Sequence, residues 1–355
     1  MDALFEPDSA RRGLRRPLLA IALFLSMAVA ACSGGASPTL TIPPDATSSS
    51  QPAASGTPGA SPSAPAEFPA TLTDDDGTDV TIEAEPEAIV SLTPAATETL
   101  FALGVGDRIV GKAEDVYLYP PEASAIPDVA SFDAVDVEKV VSLEPDLVIA
   151  GGNFFTPQEA IDRLRSVGVP VVVVYAATVD AALDDIELIG HAVGRGEEAG
   201  EIALRIQDEF DAVNAAVAGL PTPRVYYELD ATGAFYAPSD NSFLAEMIEL
   251  AGATPITTGS PDKFDIAVER LIEADPEVIL LADAAFGVTP EQVAARPGWD
   301  VMTAVRDGDI RPIDDRTVTR PGPRLFLGLQ LLAKTIHPDA PIPSASPIPP
   351  VPAAP

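Results

Sequence analysis

The fold of this chain is decided by a stretch that occurs twice: VEKVVSLEPDLVI at residues 137–149 and VERLIEADPEVIL at residues 268–280. In each copy, a glutamate followed by a basic residue opens a short amphipathic helix. A proline seven residues after the glutamate ends that helix, because the residue before proline resists the α conformation. An acidic residue and an apolar run follow and predict a buried strand. The repeat therefore predicts two lobes of the same construction, with Glu138 and Glu269 at equivalent corners. A cleft between such lobes is a favoured place for a ligand.

Length and charge narrow the class of protein. The chain has 355 residues, enough for about two domains, and its formal net charge at pH 7 is −33. Nucleic acids require a basic face on a protein partner, and adhesion to anionic lipids requires a basic patch. The composition therefore argues against both partners, and we attribute the acidity mainly to solubility.

The first 31 residues have the pattern of a secretory signal peptide. Four arginines precede an apolar run at 17–31, which is shorter than the ~20 residues that a helix needs to span a bilayer. The run ends in Val-Ala-Ala followed by Cys32, which resembles a bacterial lipobox, where the cysteine is diacylated and becomes the mature N-terminus. We expect a protein outside the cytoplasm, anchored to the cell membrane by a lipid on Cys32. A chance buried thiol is the alternative; Cys32 is the only cysteine, so no intrachain disulfide supports the prediction of export.

Composition divides the rest of the chain. Residues 32–67 are mostly Ser, Ala, Pro, Gly and Thr, and we expect a disordered tether because such a segment cannot bury a core. Residues 338–355 are again rich in Pro and Ala and are expected to be a loose, disordered tail. Between them, the patterns predict an N-terminal lobe at 68–179, an interlobe helical segment at 180–220 and a C-terminal lobe at 221–337.

Strand and helix patterns alternate within each lobe. Apolar runs such as Val171–Val174 and Val278–Leu281 predict buried strands, and their alternation with helices predicts a parallel sheet covered on both faces. The interlobe segment contains two helical patterns, and the second, Glu197–Val217, is long enough to cross from one lobe to the other. We therefore predict an α/β fold with two Rossmann-like lobes joined by a stiff helix.

Two local signals are specific enough to test. Asp74–Gly77 is a turn signal and predicts a hairpin that pairs Leu72 with the strand around Val80. Thr93 followed by proline predicts the start of a helix, which a glycine at 104 ends.

Several ordered motifs resemble a known family. They are IVSLTPAATE at 89–98, YPP at 119–121, PDLV at 145–148 and RPGPR at 320–324. Together they resemble the substrate-binding lipoproteins that feed ABC importers of cobalamin, ferric siderophores and haem, over about residues 68–338. The resemblance implies the class III architecture of such proteins, in which a single long helix joins the lobes and a metal chelate or corrinoid lies in the cleft. It implies a binding protein without enzymatic activity, expected to be a monomer, that delivers its ligand to a permease dimer.

The resemblance also implies a role for Glu138 and Glu269. The matching glutamates of the family lie on the lobe surfaces and pair with arginines of the permease. Two equivalent carboxylates could meet two equivalent arginines of a dimeric permease, and Arg–carboxylate pairs can be bidentate. The alternative is that each is an acidic residue favoured by the dipole in the first turn of a helix.

Candidate ligand contacts follow from position and chemistry. Ligands of open α/β sheets bind beyond the carboxyl ends of the strands. Large planar ligands bind aromatic faces, and an anionic chelate or phosphate-bearing corrinoid binds an arginine. We expect the ligand to contact Tyr117, Tyr119, Phe132, Asn153, Phe154 and Phe155 of the first lobe, and Phe235, Tyr236 and Arg320 of the second.

Other interpretations of these residues stay open. Phe132 could equally well pack in the core. Tyr119, which precedes two prolines, could hold a turn in place. Arg320 could belong to a rigid loop whose arginines bind surface acids. The lone Trp299 fits lobe packing better than a ligand platform, whereas the clefts of the best-known cobalamin binders are rich in tryptophan. The ligand therefore stays open among a corrinoid, a ferric siderophore and haem.

Signals for an enzyme are absent from the sequence. The two histidines, His191 and His337, are far apart, and no His/Cys/Asp cluster has zinc spacing. Neither a phosphate-binding loop nor a nucleophile elbow occurs. We expect no resident cofactor or metal site, and a haem ligand would need Tyr117 or Tyr119 as its axial residue. A lipid-anchored chelatase-type enzyme and a surface adhesion module are the rival hypotheses.

Overall fold

The computed structural model of the protein describes residues 68–131, 134–152 and 155–344. The predicted signal peptide, Cys32 and the predicted tether lie outside these residues, so the predictions made for them stay untested. Within the described part of the chain, no helix has both the length and the apolar character that a membrane crossing requires.

In its described residues, the first lobe contains seven strands and three helices. The strands are β1 (Ala70–Thr73), β2 (Asp79–Ile82), β3 (Ile89–Ser91), β4 (Ile109–Ala113), β5 (Asp128–Ala130), β6 (Leu147–Gly151) and β7 (Val171–Val174). The helices are α1 (Pro94–Ala102), α2 (Val137–Ser142) and α3 (Gln158–Ser166), and short 3₁₀ turns follow at Gly106–Arg108 and Pro121–Ala125. Strands β3 to β7 form a parallel sheet in the order β5-β4-β3-β6-β7.

Strands β1 and β2 form the hairpin that the turn signal predicts. They are antiparallel, with Leu72 opposite Val80. The turn also covers the outermost strand of the sheet, because the Asp75 amide donates to the Val173 carbonyl at 3.1 Å and the Asp74 carboxylate accepts from the Val173 amide at 3.1 Å. A covered edge strand offers no free backbone groups for pairing with another chain.

Helix α1 begins and ends where the sequence predicts. The Thr93 hydroxyl accepts a hydrogen bond from the Ala96 amide at 3.1 Å, and Pro94 occupies the first helical position. Gly104 follows the helix with φ of +75°, a backbone conformation that glycine adopts at little cost.

Two helices link the lobes. Helix α4 spans Val179–Ala192, and helix α5 spans Gly196–Val217. The 22 residues of α5 make a rod of about 33 Å, which is the long helix expected from the sequence. Helix α4 packs along α5, so the link is a pair of helices connected by a short turn.

The second lobe repeats the design of the first. Its strands are β8 (Arg224–Glu228), β9 (Phe235–Tyr236), β10 (Thr254–Pro255), β11 (Asp265–Ile266), β12 (Val278–Leu281) and β13 (Ile310–Pro312). Its helices are α6 (Phe243–Leu250), α7 (Val268–Ala274), α8 (Pro290–Ala294), α9 (Thr303–Asp307) and α10 (Leu325–Ile336), with 3₁₀ turns at Ala282–Phe286 and Trp299–Val301. The parallel sheet has the order β10-β8-β12-β13, while β9 and β11 form a short antiparallel ribbon.

Three hydrophobic cores hold this architecture, and the middle one is shared. Successive residues of a strand point to opposite faces of its sheet. Val148 therefore packs in an outer core with α2 and α3, while Ile149 packs in the central core. In the second lobe, Tyr226 packs in an outer core with α7, α8 and α9, and Tyr227 packs in the central core. The central core joins one face of each sheet to α1, α4, α5, α6 and α10.

The repeated stretch forms the same unusual backbone in both lobes. Glu144 and Asp275, the residues before the two prolines, adopt left-handed conformations with φ of +50° and +46°. A residue before proline avoids the right-handed helical region. The left-handed residue therefore ends the helix and turns the chain directly into the next strand.

The acidic residue after each proline positions the neighbouring central strand. The Asp146 carboxylate accepts the Ala88 amide at 3.1 Å, immediately before β3. The Glu277 carboxylate accepts the Arg224 amide at 3.0 Å, at the start of β8. The repeat thus specifies a helix end, a strand and the register of the adjacent strand in each lobe.

The packed body extends into the predicted tail. Ile342, which the sequence places in the tail, packs against the central core, and its amide donates to the Ala340 carbonyl at 2.8 Å. The chain from residue 345 onward lies outside the described residues.

Candidate functional site

The candidate site lies at the carboxyl ends of the strands of both lobes. In the first sheet, the chain runs from β3 outward to β4 and then returns to β6 on the other side of β3. In the second sheet, β8 likewise has β10 on one side and β12 on the other. Such reversals of strand order leave a crevice beyond the carboxyl ends of the central strands, where ligands of α/β proteins bind.

Exposed apolar side chains collect at these strand ends. Phe155, which follows β6, is 59% exposed, and Phe286, which follows β12, is 71% exposed. Val116 and Leu118, which follow β4, are exposed too. These four side chains follow the carboxyl ends of strands in both lobes, and exposed apolar surface there is a candidate binding surface.

Phe286 was missed in the sequence analysis, although the repeat contains the signal for it. Phe155 and Phe286 are 131 positions apart, which is the same offset that separates Glu138 from Glu269. Had the repeat been followed past its strand, it would have pointed to Phe286. The two phenylalanines are equivalent residues of the two lobes.

Tyr117 and Tyr119 lie on the loop after β4, as predicted. The Asp115 carboxylate orders this loop by accepting the Tyr117 amide at 3.0 Å and the Tyr119 amide at 3.2 Å. Burial, followed by the carboxylates of Asp315 and Asp314, raises the pKa of the Tyr117 hydroxyl. Those carboxylates belong to the second lobe, so the loop of the first lobe reaches the second.

Arg320 is close to this loop, but its positive charge is already paired. Its guanidinium donates to the two carboxylate oxygens of Asp115 at 2.8 and 2.9 Å. Burial acts to raise the pKa of Asp115, yet the hydrogen bonds and charge of Arg320 outweigh it and hold this pKa below its usual value. Contact between Arg320 and a ligand stays a prediction. The alternative offered by the sequence, an arginine of this loop paired with an acid, agrees with the ion pair to Asp115.

A second ion pair joins the lobes beside the first. Arg324 donates to both carboxylate oxygens of Glu98 at 2.8 and 2.9 Å, and Glu98 is only 3% exposed. The Arg324 guanidinium also lies 3.3 Å from the centre of the Tyr119 ring, in a cation–π contact. Arg320 also lies 3.9 Å from Glu98, so four contacts made by Arg320 and Arg324 connect the lobes on the side of β4 and β13.

Phe235 and Tyr236 lie in strand β9 and not on an open loop. Both are half-buried. The Phe235 ring packs 5.1 Å from Trp299 and 5.2 Å from the Arg296 guanidinium. Trp299 is 1% exposed, which confirms the prediction that it packs within its lobe.

A buried charge cluster lies behind these aromatic residues. Arg296 donates to both oxygens of Glu228, at 2.5 and 2.7 Å, at the carboxyl end of β8. Asp283, at the end of β12, is 3% exposed, and neither of its oxygens has a hydrogen-bond partner among the described residues. Burial and then the Glu228 carboxylate raise the pKa of Asp283 to about 6. The cluster contains one guanidinium and two carboxyl groups, so it becomes net negative as Asp283 ionises.

A cavity of about 500 Å³ opens at the other end of the boundary between the lobes. It lies beside β10 and the turn from β7 into α4, whereas the ion pairs lie beside β4 and β13. The Glu246 carboxylate closes one wall by accepting the Val179 amide at 2.7 Å. The cavity is lined by Thr178, Asp240, Asn241, Ser242, Ala245, Glu246, Glu249, Thr254, Pro255 and Thr257.

Glu138 and Glu269 are exposed in the first turns of α2 and α7. Among residues 68–131, 134–152 and 155–344, neither carboxylate has a partner in an ion pair. Each helix leads into a parallel strand and starts at the carboxyl edge of its sheet, so both glutamates lie on the side of the lobes that carries the cleft.

Some predictions cannot be located. Phe132, Asn153 and Phe154 lie outside the described residues, and their assignment stays a prediction. In the described segments, no group of three or more His, Cys, Asp or Glu side chains is placed to hold a metal ion.

Comparison with known proteins gives a consistent result. Residues 89–317 match the model of a family described as periplasmic binding protein. The ABC transporter substrate-binding lipoprotein YvrC of Bacillus subtilis is 31% identical over 277 residues, which cover 77% of this chain and 87% of that protein.

Solved structures share the architecture. The vitamin B12 binding protein BtuF of Vibrio cholerae is 25% identical with a TM-score of 0.62, covering 71% of this chain and 97% of that one. A protein of an Fe³⁺-hydroxamate transport system from Saccharomonospora viridis is 28% identical with a TM-score of 0.62, covering 76% of this chain and 100% of that one. The predicted fold class and the resemblance drawn from the sequence are both confirmed.

Proposed function

Because this chain belongs to the periplasmic binding protein family, we propose that it captures a corrinoid or a ferric siderophore between its lobes and delivers it to the permease of an ABC importer. One observation carries the proposal: equivalent phenylalanines, Phe155 and Phe286, are exposed at the strand ends of both lobes. Leaving such side chains in water costs free energy, and a large ligand with apolar faces would cover both.

The remaining contacts of this ligand are proposed from position. Tyr117 and Tyr119 lie on the loop after β4, which reaches the second lobe. Phe132, Asn153 and Phe154 lie outside the described residues, and we assign them to the ligand from the sequence alone. Arg320 still has N–H groups that Asp115 does not use, so it can donate hydrogen bonds without offering a free charge. Because Phe235 and Tyr236 are half-buried, we assign them edge contacts only.

We assign docking to the permease, the step that delivers the ligand, to Glu138 and Glu269. Their exposure, their lack of ion-pair partners among the described residues and their equivalence in the repeat support docking to two arginines of a permease dimer. An acidic residue in a first helical turn needs no partner, because the helix dipole favours it there. Only a transport measurement separates the two explanations.

Anchoring by a lipid on Cys32 completes the proposal. A flexible tether over residues 32–67 would hold the body about 30–35 Å from the membrane. The name of the relative YvrC includes the word lipoprotein, which supports this assignment. Labelling cells with a fatty-acid probe tests it: the label should be lost in Cys32→Ala, and continued labelling would contradict lipidation at this residue.

The decisive experiment identifies the ligand. The full-length chain is purified from its host, and its visible absorption and mass spectra are recorded. A corrin band or the charge-transfer band of a ferric siderophore supports the proposal, and calorimetric titration of the ligand-free chain with that compound then gives the affinity. A chain that binds neither compound in titration is not a binding protein of this ligand class.

Haem is the alternative ligand within the same family. A haem iron would need an axial residue such as Tyr117, which lies on the loop after β4. However, burial and the carboxylate of Asp315 raise the pKa of the Tyr117 hydroxyl, which disfavours the tyrosinate that binds iron. A Soret band in the purified protein would decide for haem.

A further inference from the structure

We infer that the cleft selects chelates with a neutral or positively charged outer surface and rejects chelates that carry free carboxylates or ionised catechols. The inference rests on the proposed function and names the ligand class of the same site. It replaces the expectation that an arginine of the RPGPR loop offers a free positive charge to an anionic ligand.

Four arginines of the second lobe, three of them on the chain after β13 and one in the buried charge cluster, have no charge to spare. Each of the four guanidinium groups is paired with one carboxylate through at least two hydrogen bonds. A paired guanidinium beside a carboxylate presents a dipole and not a net charge to the ligand. The pairs are Arg320 with Asp115, Arg324 with Glu98, Arg296 with Glu228 and Arg316 with Asp314.

Two further carboxylates are left over after this pairing. Asp283 is buried at the end of β12 and has no hydrogen-bond partner among the described residues. Asp315 accepts the Tyr227 hydroxyl at 2.6 Å and the Thr319 hydroxyl at 2.9 Å, which are neutral donors. Burial raises the pKa of both carboxyl groups, that of Asp283 to about 6, so the negative charge that they add to the second lobe grows as pH rises.

The cavity at the opposite end of the boundary has the same sign. Asp240, Glu246 and Glu249 line it, and none of them takes part in an ion pair within the described residues. Arg270 adds one positive charge beside this cavity, because its Nε donates to the carbonyl of the lining residue Thr257 at 3.0 Å and no ion pair with it occurs within the described residues; the three carboxylates still outnumber it. The field is thus negative at both ends of the boundary between the lobes.

A field of this kind acts strongly inside a cleft. Low-dielectric walls focus it, and a bound ligand loses the water that would screen its charge. The exposed rings of Phe155 and Phe286 act in the same direction, because an aromatic face attracts a cation. A free carboxylate on the ligand would meet repulsion from the walls and find no unpaired arginine among those four.

The test uses ligands that differ only in outer charge. One series is ferrioxamine B, which carries a free ammonium group, with its neutral N-acetyl derivative and its anionic N-succinyl derivative. The other is cyanocobalamin with an aminoalkyl group on its ribose, which is cationic, together with unmodified neutral cyanocobalamin and an anionic cyanocobalamin monocarboxylate. The iron or cobalt centre stays the same type within each series, so differences in affinity report on charge.

The ligand-free full-length chain is titrated with both series at low and at high salt. In the series that binds, we expect Kd to rise by about tenfold for each step from cation to neutral to anion at low salt. The ratio of Kd between the anionic and the cationic member should become smaller as salt is added, because ions screen the field.

Matched variants then test whether the named carboxylates cause this difference in Kd. Asp283→Asn and, separately, Asp315→Asn each remove one charge and keep the shape of the side chain. Each should lower the ratio of Kd between the anionic and cationic members by about threefold. Asp208→Asn, on the exposed side of α5, is the control and should leave the ratio unchanged.

The possible outcomes separate the inference about charge from the proposed function. If neither series binds, the proposed function is wrong and the inference falls with it. If a series binds but its anionic member binds as tightly as its neutral member, the proposed function stands and the inference is overturned. A ratio that Asp283→Asn and Asp315→Asn both leave unchanged would also overturn the inference, since the discrimination would then have another source.

Discussion

The two lobes have the same frame but carry different side chains at the cleft. Both contain the left-handed residue before proline, the acidic residue that positions the central strand and an exposed phenylalanine after the strand. In the first lobe, the further aromatic residues Tyr117 and Tyr119 lie on a surface loop. In the second, Tyr226 and Trp299 are fully buried around a paired arginine.

This difference teaches how a repeated frame can hold one asymmetric ligand. The frame depends on backbone geometry and on residues that contact their own lobe, so both copies keep it. The loops beyond the strands contact the ligand or the other lobe, and they differ. Beyond the shared phenylalanines, the first lobe adds tyrosines on a surface loop, whereas the second lobe buries its aromatic side chains around a charged pair.

The largest expected effect tests the equivalence of the two corners. In Glu138→Arg/Glu269→Arg, we expect normal ligand affinity and no stimulation of the permease ATPase, because like charges would face each other at the docking contact. ATPase activity of the reconstituted permease measures this. The control is Glu159→Arg/Glu291→Arg, which reverses two exposed first-turn glutamates outside the repeat. Full stimulation by the first double variant would mean that the repeat serves architecture alone.

The contact between the lobes should be the next most sensitive feature. Glu98→Gln leaves the Arg324 guanidinium without its carboxylate, and we expect a loss of about 3 kcal/mol in the free energy of unfolding. Urea unfolding measures the loss. Glu85→Gln is the control, because Glu85 pairs with Arg108 at the surface and should contribute less than about 1 kcal/mol. Similar losses in the two variants would show that the interlobe pair is no stronger than a surface pair.

The contact between Asp185 of α4 and Asp75 of the first lobe should make stability depend on pH. Burial and then the Asp75 carboxylate raise the pKa of Asp185 to about 9, from an ordinary value of 3.8. Between these values the folded chain binds a proton that the unfolded chain releases. The free energy of unfolding should therefore fall as pH rises from about 4 to about 9, by at most about 1.4 kcal/mol per pH unit.

Asp185→Asn tests this dependence. It should flatten the decline measured by urea unfolding at several pH values and stabilise the chain most at alkaline pH. The exposed Asp208→Asn is again the control and should keep the original slope. An unchanged slope in Asp185→Asn would show that the proton is not held by this pair.

The smallest expected effect compares the two phenylalanines directly. Phe155→Ala and Phe286→Ala should each weaken ligand binding by about 1–2 kcal/mol, because each removes apolar surface that the ligand covers. Calorimetric titration measures both, and Leu204→Ala, exposed on α5, is the control. A loss in only one variant would show that the ligand lies against one lobe.

The sequence predicted local features well and long-range pairing poorly. Helix Phe243–Leu250 and strand Val278–Leu281 have the bounds expected from their apolar patterns, because such patterns report burial directly. The pairing of Arg320 with Asp115 joins residues 205 positions apart, and no local pattern indicates which acid an arginine will meet. Phe286 is an intermediate case: no local motif marks it, but the 131-residue offset of the repeat leads from Phe155 to it.

The shared central core decides how this body can move. Conformational changes divide into hinge motions, in which a few residues bend, and shear motions, in which packed helices slide by small amounts. Here both sheets pack against the same layer of α1, α4, α5, α6 and α10, so there is no bare linker at which a hinge could open. Release of a ligand must therefore come from shear within this layer or from displacement of the loops at the strand ends. The same continuity means that neither lobe can lose its fold while the other keeps an intact core, and the body should melt in a single transition.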